Sequence, residues 1–362
     1  MTPRTGTNFQ RLLSSRRLCR SEVELPSSGR LCHYPRRHIV TLSKTVPFTV
    51  RSVLHGRSGK RYDIQEIISQ QRDPSLCVYR ASADAENFVL KTMIPGEFEY
   101  QQALQSSVAS CPNLRTPIDT IPAFDLFVYR FLAGHLLHIS QKPLSEATRK
   151  SILKSALSGL VALHEKGIIH TDIKPNNILI DYKDGPRDEI TIHSVQVSDL
   201  EDTVILPPGK NLKGCLCGNQ FWRSPESWAR ARQNTPSDVF SFGVMTIYVM
   251  LNDMIFRISD DELNSKDAWR HILRRHISFF GDETGFKGLL QHIGEDNTFF
   301  QRLIDLAADF DADRPRTPFA LWQYVDSELR DLITKMTNLD PARRITAREA
   351  LMHPWFHQAG SY

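Results

Sequence analysis

The sequence predicts an α+β protein of two lobes, a small β-rich one followed by a larger, mainly helical one. Three observations carry this. Short strand-like runs cluster between residues 62 and 132, whereas apolar positions spaced three and four apart dominate after Pro143. The composition is globular, with 41% hydrophobic and 24% charged residues, which excludes wholesale disorder. A chain of 362 residues buries roughly 75% of its unfolded surface, so it needs no metal or disulfide staple to hold a core.

Residues 1–55 read as a basic leader rich in Arg and Ser, broken by Pro3, Pro26, Pro35 and Pro47, and expected to be disordered. Residues 1–60 hold 12 Lys/Arg against Glu22 and Glu24, a balance of +10; the other 302 residues hold 33 basic and 39 acidic side chains and sum to −6. The basic character therefore belongs to the leader, and no nucleic-acid partner is expected. A cytoplasmic or nuclear location is expected, with a mitochondrial presequence as the alternative. Phe9, Leu12, Leu13 and Leu18 alternate there with Arg11, Arg16, Arg17 and Arg20. The irregularly spaced cysteines at 19, 32, 77, 111, 215 and 217 read as free thiols rather than a zinc site.

The domain proper is expected over residues 60–357, its small lobe over 60–131 and its large lobe over 132–357, with a cleft near residue 132. Strands are expected at Tyr62–Ile68, Leu76–Ala81, Phe88–Thr92 and Phe124–Leu132, with one helix from near Pro95 through Leu104. In the large lobe, Ser151–Lys166 has apolar residues at 152, 153, 156, 157, 160, 161 and 163, one face of a helix. Strands return at Ile178–Ile180 and Val195–Val197, and helices follow from Thr235. Val239–Leu251, the most apolar stretch, falls short of the about 20 residues a bilayer crossing needs, so it is a buried helix and no membrane span is expected.

The segment His170-Thr-Asp-Ile-Lys-Pro-Asn-Asn177 carries chemistry. A carboxylate can accept the proton of an attacking hydroxyl, a lysine two residues on can neutralise charge, and a carboxamide five residues on can hold a metal ion. A second carboxylate, Asp199, follows the strand ending at Val197. Two oxygen ligands from neighbouring turns suit Mg²⁺ on nucleotide phosphates. Taken alone such a loop is common by chance, and Lys91 read locally is equally a surface lysine.

Six motifs in order resemble those of eukaryotic-type serine/threonine protein kinases. They are Phe88-Val-Leu-Lys91, the loop His170–Asn177, Asp199-Leu-Glu201, Ser224-Pro-Glu226, Ser237-Asp238-Val-Phe-Ser-Phe-Gly243 and Asp340-Pro-Ala-Arg-Arg344. The resemblance covers residues 62 to 357, and the stretch from Asn252 to Asp326 is similar to an insertion in a filamentous-fungal branch. It implies the bilobal kinase fold and transfer of the ATP γ-phosphoryl group to serine or threonine of a protein substrate. It assigns Asp172 as catalytic base and Lys174 as phosphate neutraliser, with Asn177 and Asp199 as Mg²⁺ ligands. Lys91 would contact the α- and β-phosphates, paired with Glu99 or Glu97. Tyr129 would lie behind the nucleotide, with Arg130 to Leu132 as the hinge to adenine. Glu226 and Arg344 would form a buried pair, and Asp238 would hold the catalytic loop. His170 reads as a packed anchor and His164 as plain packing.

The chain departs from that pattern in four places. Ile67–Cys77, where glycines would cover the phosphates, has none. Glu201 replaces the glycine after Asp199, Thr171 replaces the arginine before Asp172, and Glu99 follows Lys91 by only eight positions. With Thr171 there, regulation by a phosphate on the segment before Glu226 is not expected. Two other outcomes fit these departures: a pseudokinase acting as a binding or scaffold module, and a small-molecule phosphotransferase. The latter is disfavoured because Ser224-Pro-Glu226 and Arg344 belong to a peptide-binding surface.

Overall fold

The computed structural model describes residues 48–70, 76–186 and 189–357. The presequence reading, residues 1–47 of the leader and Pro74 lie outside the described residues. The described chain forms two compact units. One comprises residues 48–110 and 115–131, the other residues 111–114 and 132–357.

The smaller unit is built on a six-stranded antiparallel sheet. Its elements are β1 (Val53–His55), β2 (Arg61–Gln70), β3 (Cys77–Ala83), β4 (Glu86–Thr92), α1 (Phe98–Ser107), β5 (Asp119–Ile121) and β6 (Leu126–Arg130). Strand order is β1-β2-β3-β4-β6-β5. Side chains alternate between faces in a strand, and the sheet sorts its core accordingly. Phe88, Leu90, Leu126 and Val128 join Tyr62, Ile64, Tyr79 and Ala81 on one face. Val89, Phe127 and Tyr129 join Met93 and Phe98 on the other, which α1 covers.

The leader boundary at residue 55 falls too late. β1 pairs Val53 with Asp63 and Leu54 with Tyr62. Leu54 is buried, and Phe48 packs edge-on against Tyr79 and Phe124. A three-residue strand is too short to show alternation, but its apolar centre is enough to add it to the sheet.

The larger unit runs β7 (Gly134–His135), α2 (Leu136–Ile139), α3 (Glu146–His164), β8 (Ile168–Ile169), β9 (Ile178–Asp184), β10 (Ile190–Val197), β11 (Val204–Ile205), α4 (Pro225–Trp228) and α5 (Thr235–Leu251). It continues through α6 (Asp260–Asn264), α7 (Ala268–Phe280), α8 (Glu283–Ile293), α9 (Phe300–Ala308), α10 (Ser327–Met336) and α11 (Ala347–Leu351). Ser145 caps α3 by accepting from the Thr148 amide, and the helix buries the stripe read from sequence, from Ile152 through Leu163. α5 is apolar on every side and is accordingly buried over nearly its whole length; Asn234 caps its start and Asn252, in the left-handed region, ends it. Among the described residues no helix is long and apolar enough to cross a membrane. None of Cys77, Cys111, Cys215 and Cys217 is joined in a disulfide.

Residues 111–114 are sewn onto this unit from within the span of the other. Leu114 bridges Val197 in parallel, Val197 N donates to Asn113 O at 2.8 Å, and Asn113 Nδ2 donates to Val195 O at 3.0 Å. The close approach needs Gly159 on α3, where a Cβ would lie 2.5 Å from Asn113 O.

Packing of α7 against α5 buries His276 completely. Its ring stacks on Phe256 at 4.0 Å and on Phe240 at 5.2 Å, and neither ring nitrogen has a hydrogen-bond partner. Burial pushes its pKa down to about 3, with Glu226 pulling it up and Arg344 pushing it down to lesser degrees. A histidine neutral in the fold but ordinary when unfolded takes its proton first in the unfolded chain. Its contribution is therefore full above about 6.5 and is lost as pH falls towards 3, at about 1.4 kcal/mol per pH unit. His276→Phe keeps the stack and removes the unpaired polar atoms. We expect it to raise stability at pH 7 by about 1 kcal/mol and to flatten the acid limb between pH 4 and 6.5. Urea unfolding across that range checks this; parallel pH profiles for the two proteins would refute it.

Candidate active site

The loop His170–Asn177 follows β8 and is held from below by Asp238, on the first turn of α5. Asp238 Oδ2 accepts from His170 N at 2.7 Å, and Oδ1 accepts from Thr171 N at 2.9 Å. His164 Nε2 lies 2.9 Å from the same Oδ2. His164 is thus more than packing: it buttresses the carboxylate that holds the loop, a role its position at the C-terminal end of α3 could have signalled. His170 is fully buried. Its Nδ1 accepts from Asp172 N at 3.3 Å, so Nε2 carries the proton and donates to Ser198 O at 2.9 Å. Both nitrogens are committed, which makes His170 an anchor.

Two residues of this site occupy the left-handed region: Thr171, at φ 69°, and Asp199, at φ 65°. For a β-branched residue this is a strained conformation, worth about 1–3 kcal/mol and tolerated only where the surroundings over-determine it. Asp238 fixes the Thr171 amide, and Thr171 Oγ1 donates to Asp202 O at 3.0 Å. The effect is to project Asp172 beyond the turn.

Around Asp172 the geometry is tight. Lys174 Nζ sits 2.5 Å from Asp172 Oδ2. Asn177 Nδ2 donates to Asp172 O at 2.8 Å and to Oδ2 at 3.3 Å. Asp172 Oδ1 is buried without a hydrogen-bond partner. Ser198, just after β10, donates from N at 2.8 Å and from Oγ at 3.0 Å to Asn177 O. This ties the loop to the turn bearing Asp199, whose short helical turn Leu200–Asp202 adds Glu201 and Asp202. With its nitrogen spent, Asn177 has its carboxamide oxygen left for a cation. Oxygen donors of this kind fit a hard ion such as Mg²⁺. The structure thus brings Asp172, Lys174 and Asn177 together, with Asp199 following Ser198. A further acidic group, Glu328, Asp331 and His353, is engaged internally: Lys335 Nζ lies 2.5 Å from Asp331 Oδ2 and His353 Nε2 2.9 Å from it.

In the smaller unit, Lys91 on β4 pairs with Phe127 and Val78 in the sheet register, on the face that α1 covers. Phe98 of α1 meets Phe127 with ring centroids 5.0 Å apart. Glu99 does not supply the expected partner for Lys91. It points away from the covered face and is exposed, and its charge acts instead on Asp125, whose carboxyl burial and Glu99 together raise. The buried polar side chains of α1 are Gln101 and Gln105, which sequence reading missed; spacing from Phe98 by three and seven places them on one helical face. Glu97 precedes the helix and is partly buried. Tyr129 is buried against α1, its hydroxyl donating to Gln105 Oε1 at 3.1 Å and Arg115 lying 4.8 Å above its ring. The Arg130 side chain is exposed while its carbonyl accepts from Arg115 Nη2 at 3.2 Å; Leu132 is partly buried.

Behind the site lies the pair Glu226–Arg344. Nη1 and Nη2 of Arg344 reach Oε1 and Oε2 of Glu226 at 2.6 and 2.8 Å, with both side chains wholly buried. Burial alone would push the Glu226 carboxyl up. The charge and hydrogen bonds of Arg344, with the Ser237 hydroxyl at 2.7 Å, outweigh it and hold the group below the usual range.

Residues 124–356 match the protein kinase domain family. Similar proteins include an Aurora kinase of Eremothecium gossypii, 23% identical over 321 residues, covering 87% of this chain and 70% of that one. Calcium-dependent protein kinase 17 of Arabidopsis thaliana is 26% identical over 216 residues, covering 60% of this chain and 31% of its own. The phosphorylase b kinase gamma catalytic chain, liver/testis isoform, of Bos taurus is 24% identical over 331 residues, covering 88% and 65%. The chain thus spans about a third to two thirds of the length of these relatives.

Proposed function

We propose that this chain, which belongs to the protein kinase family, transfers the γ-phosphoryl group of ATP to serine or threonine hydroxyls of protein substrates. The observation that carries the reading is the Asp172–Lys174–Asn177 constellation, pinned through His170 and Thr171 to the buried Asp238. Asp172 Oδ1, buried and unpartnered, is the atom to accept the hydroxyl proton, while Lys174 neutralises charge on the moving phosphoryl group. Asn177 and Asp199 would hold Mg²⁺, which when bound neutralises the nucleotide phosphates. Lys91 would contact the α- and β-phosphates, and the backbone of Arg130 to Leu132 would meet adenine. Relatives of similar sequence are named as kinases, two of those above with a covered share near two thirds, and this supports turnover over a scaffold role.

The test is transfer of labelled phosphate from Mg-ATP to a degenerate peptide library and to small alcohols and amines, followed by phosphoamino-acid analysis. Label on serine and threonine of peptides is expected. Label confined to the small acceptors would overturn the reading. A Mg-ATP thermal shift without any transfer would leave only a nucleotide-binding module.

A further inference from the structure

We propose that a groove between the two outer edges of the six-stranded sheet takes up an extended segment of a partner protein, apolar at its centre and acidic at its ends. The sheet begins to close on itself and stops. β1 and β5 stand at opposite ends of the strand order and run in opposite directions. They meet at one point, where Arg57 N donates to Thr120 O at 2.8 Å and Ser58 N donates to Asp119 Oδ1 at 3.1 Å. Gly56 permits this approach, since a Cβ there would overlap Asp119 Oδ2. From that point the edges part. Val53–His55 on one side, and Ile121 and Phe124 on the other, line a groove of about 540 Å³.

The β1 side of the groove is an open sheet edge. Ser52 O accepts from Ile64 N and Gly56 N donates to Lys60 O, so the ladder to β2 uses the even positions. By the alternation of an antiparallel pair, Val53 and His55 turn their N–H and C=O groups outward. Among the described residues none bonds these groups. Buried Leu54 and Ile121 lie at the base of the groove, and Val53 and Phe124, 39% and 44% exposed, lie at its mouth. An open edge beside apolar walls is the setting for strand addition, in which main-chain bonds supply affinity and pockets read alternate side chains.

Charge selects the partner. Residues 48–62 hold Arg51, Arg57, Lys60 and Arg61 and no carboxylate. Lys60 pairs with Asp84 and Arg61 with Asp63. The carboxylate of Asp119 is taken up by the hydroxyls of Ser58 and Tyr62, at 2.5 and 3.0 Å. Arg51 and Arg57 remain exposed, two residues beyond either end of β1. Opposite charges on neighbouring strands attract and like charges repel. A docked strand with an acidic residue at each end therefore complements this edge, and a basic one does not.

The probe is a fluorescein-labelled peptide in which valine and threonine alternate, with two glutamates at each end, titrated into the full chain and read by anisotropy. Saturable binding is expected, about tenfold tighter than for the same peptide with lysine ends, and weakened about fivefold by a tenfold rise in salt. N-methylation of one alternate set of its central amides is expected to abolish binding, and of the other set to leave it within about threefold, because a strand pairs through one edge at a time. Arg51→Glu with Arg57→Glu, and separately Phe124→Ser, are each expected to weaken binding about tenfold, with thermal melts confirming the fold. In the full chain alone the Val53 and His55 amides should exchange freely, and slow about tenfold once the peptide is bound. Absent binding at millimolar peptide, equal binding of the lysine-ended peptide, or indifference to which amides are methylated would each overturn the proposal. Slow exchange at those two amides before peptide is added would also overturn it. With a monomer's mass that result gives the groove to another part of this chain, and with a doubled mass to a second copy.

Discussion

Asp172→Asn is expected to lower kcat for phosphoryl transfer by about 10²–10⁴-fold, the range a positioned general base contributes. The fold should survive. The carboxylate has one oxygen committed to Lys174 and Asn177 and one buried oxygen with no partner. The carboxamide is isosteric, and its oxygen at the Oδ2 position can still accept from Lys174 and Asn177, so the change weakens these bonds by losing the charge and costs about 1 kcal/mol. For a unit of this size that moves Tm by roughly 2–4 °C. The amide cannot take the hydroxyl proton, but Asn177 still bonds the residue's backbone carbonyl at 2.8 Å, so the loop keeps its shape. The KM for ATP should change less than kcat. Steady-state kinetics beside a thermal melt decide it. Transfer within tenfold of wild type would remove Asp172 from the base role.

Arg344→Met should be the most destabilising single change at a site remote from the reaction, at about 3–5 kcal/mol, the cost of leaving a buried charge uncompensated. Every N–H of the guanidinium is used: Nε donates to Asn338 O at 2.6 Å, and Nη1 and Nη2 donate to Pro236 O and Leu339 O at 3.1 Å besides their bonds to Glu226. A guanidinium has five such donors, and five acceptors meet them. The substitution strands Glu226 and three carbonyls at once. Removing both charges, as in Arg344→Met with Glu226→Leu, should recover part of the loss because an apolar pair carries no desolvation penalty. Denaturant unfolding of the two single variants and the double variant gives the coupling. A loss below 1 kcal/mol for Arg344→Met, or strictly additive effects, would contradict it.

Much of this site was readable from residue order, and what was not has physical reasons. Periodicity found α3 and α5 because each is long enough for several turns of apolar repeat. The loop residues Asp172, Lys174 and Asn177 stand close in sequence, so their proximity in space follows from one turn. Glu99 misled because the sequence shows a carboxylate near the right distance from Lys91 but not which way the helix faces. That direction is set by Phe98, which docks on Phe127 and turns Gln101 inward and Glu99 out. β1 was missed because three residues carry no period. His164 and His276 are opposite failures of the same kind. Each is a histidine on a helix among apolar neighbours, yet one finds Asp238 and the other finds only aromatic rings. The difference lies in which helix crosses behind it, a fact of tertiary packing alone.

The strip of residues 111–114 bears on what can be recombined. Because the described chain passes between the units at residues 110/111, 114/115 and 131/132, the larger unit is not a contiguous cassette. A chimera joined at Leu132 would import the loop His170–Asn177 and every helix from α2 onward, yet leave Val197 N without Asn113 O and Gly159 facing a vacated groove. Exchange of that unit with another protein of the family therefore has to carry a four-residue splint across the junction, and the glycine on α3 must travel with it.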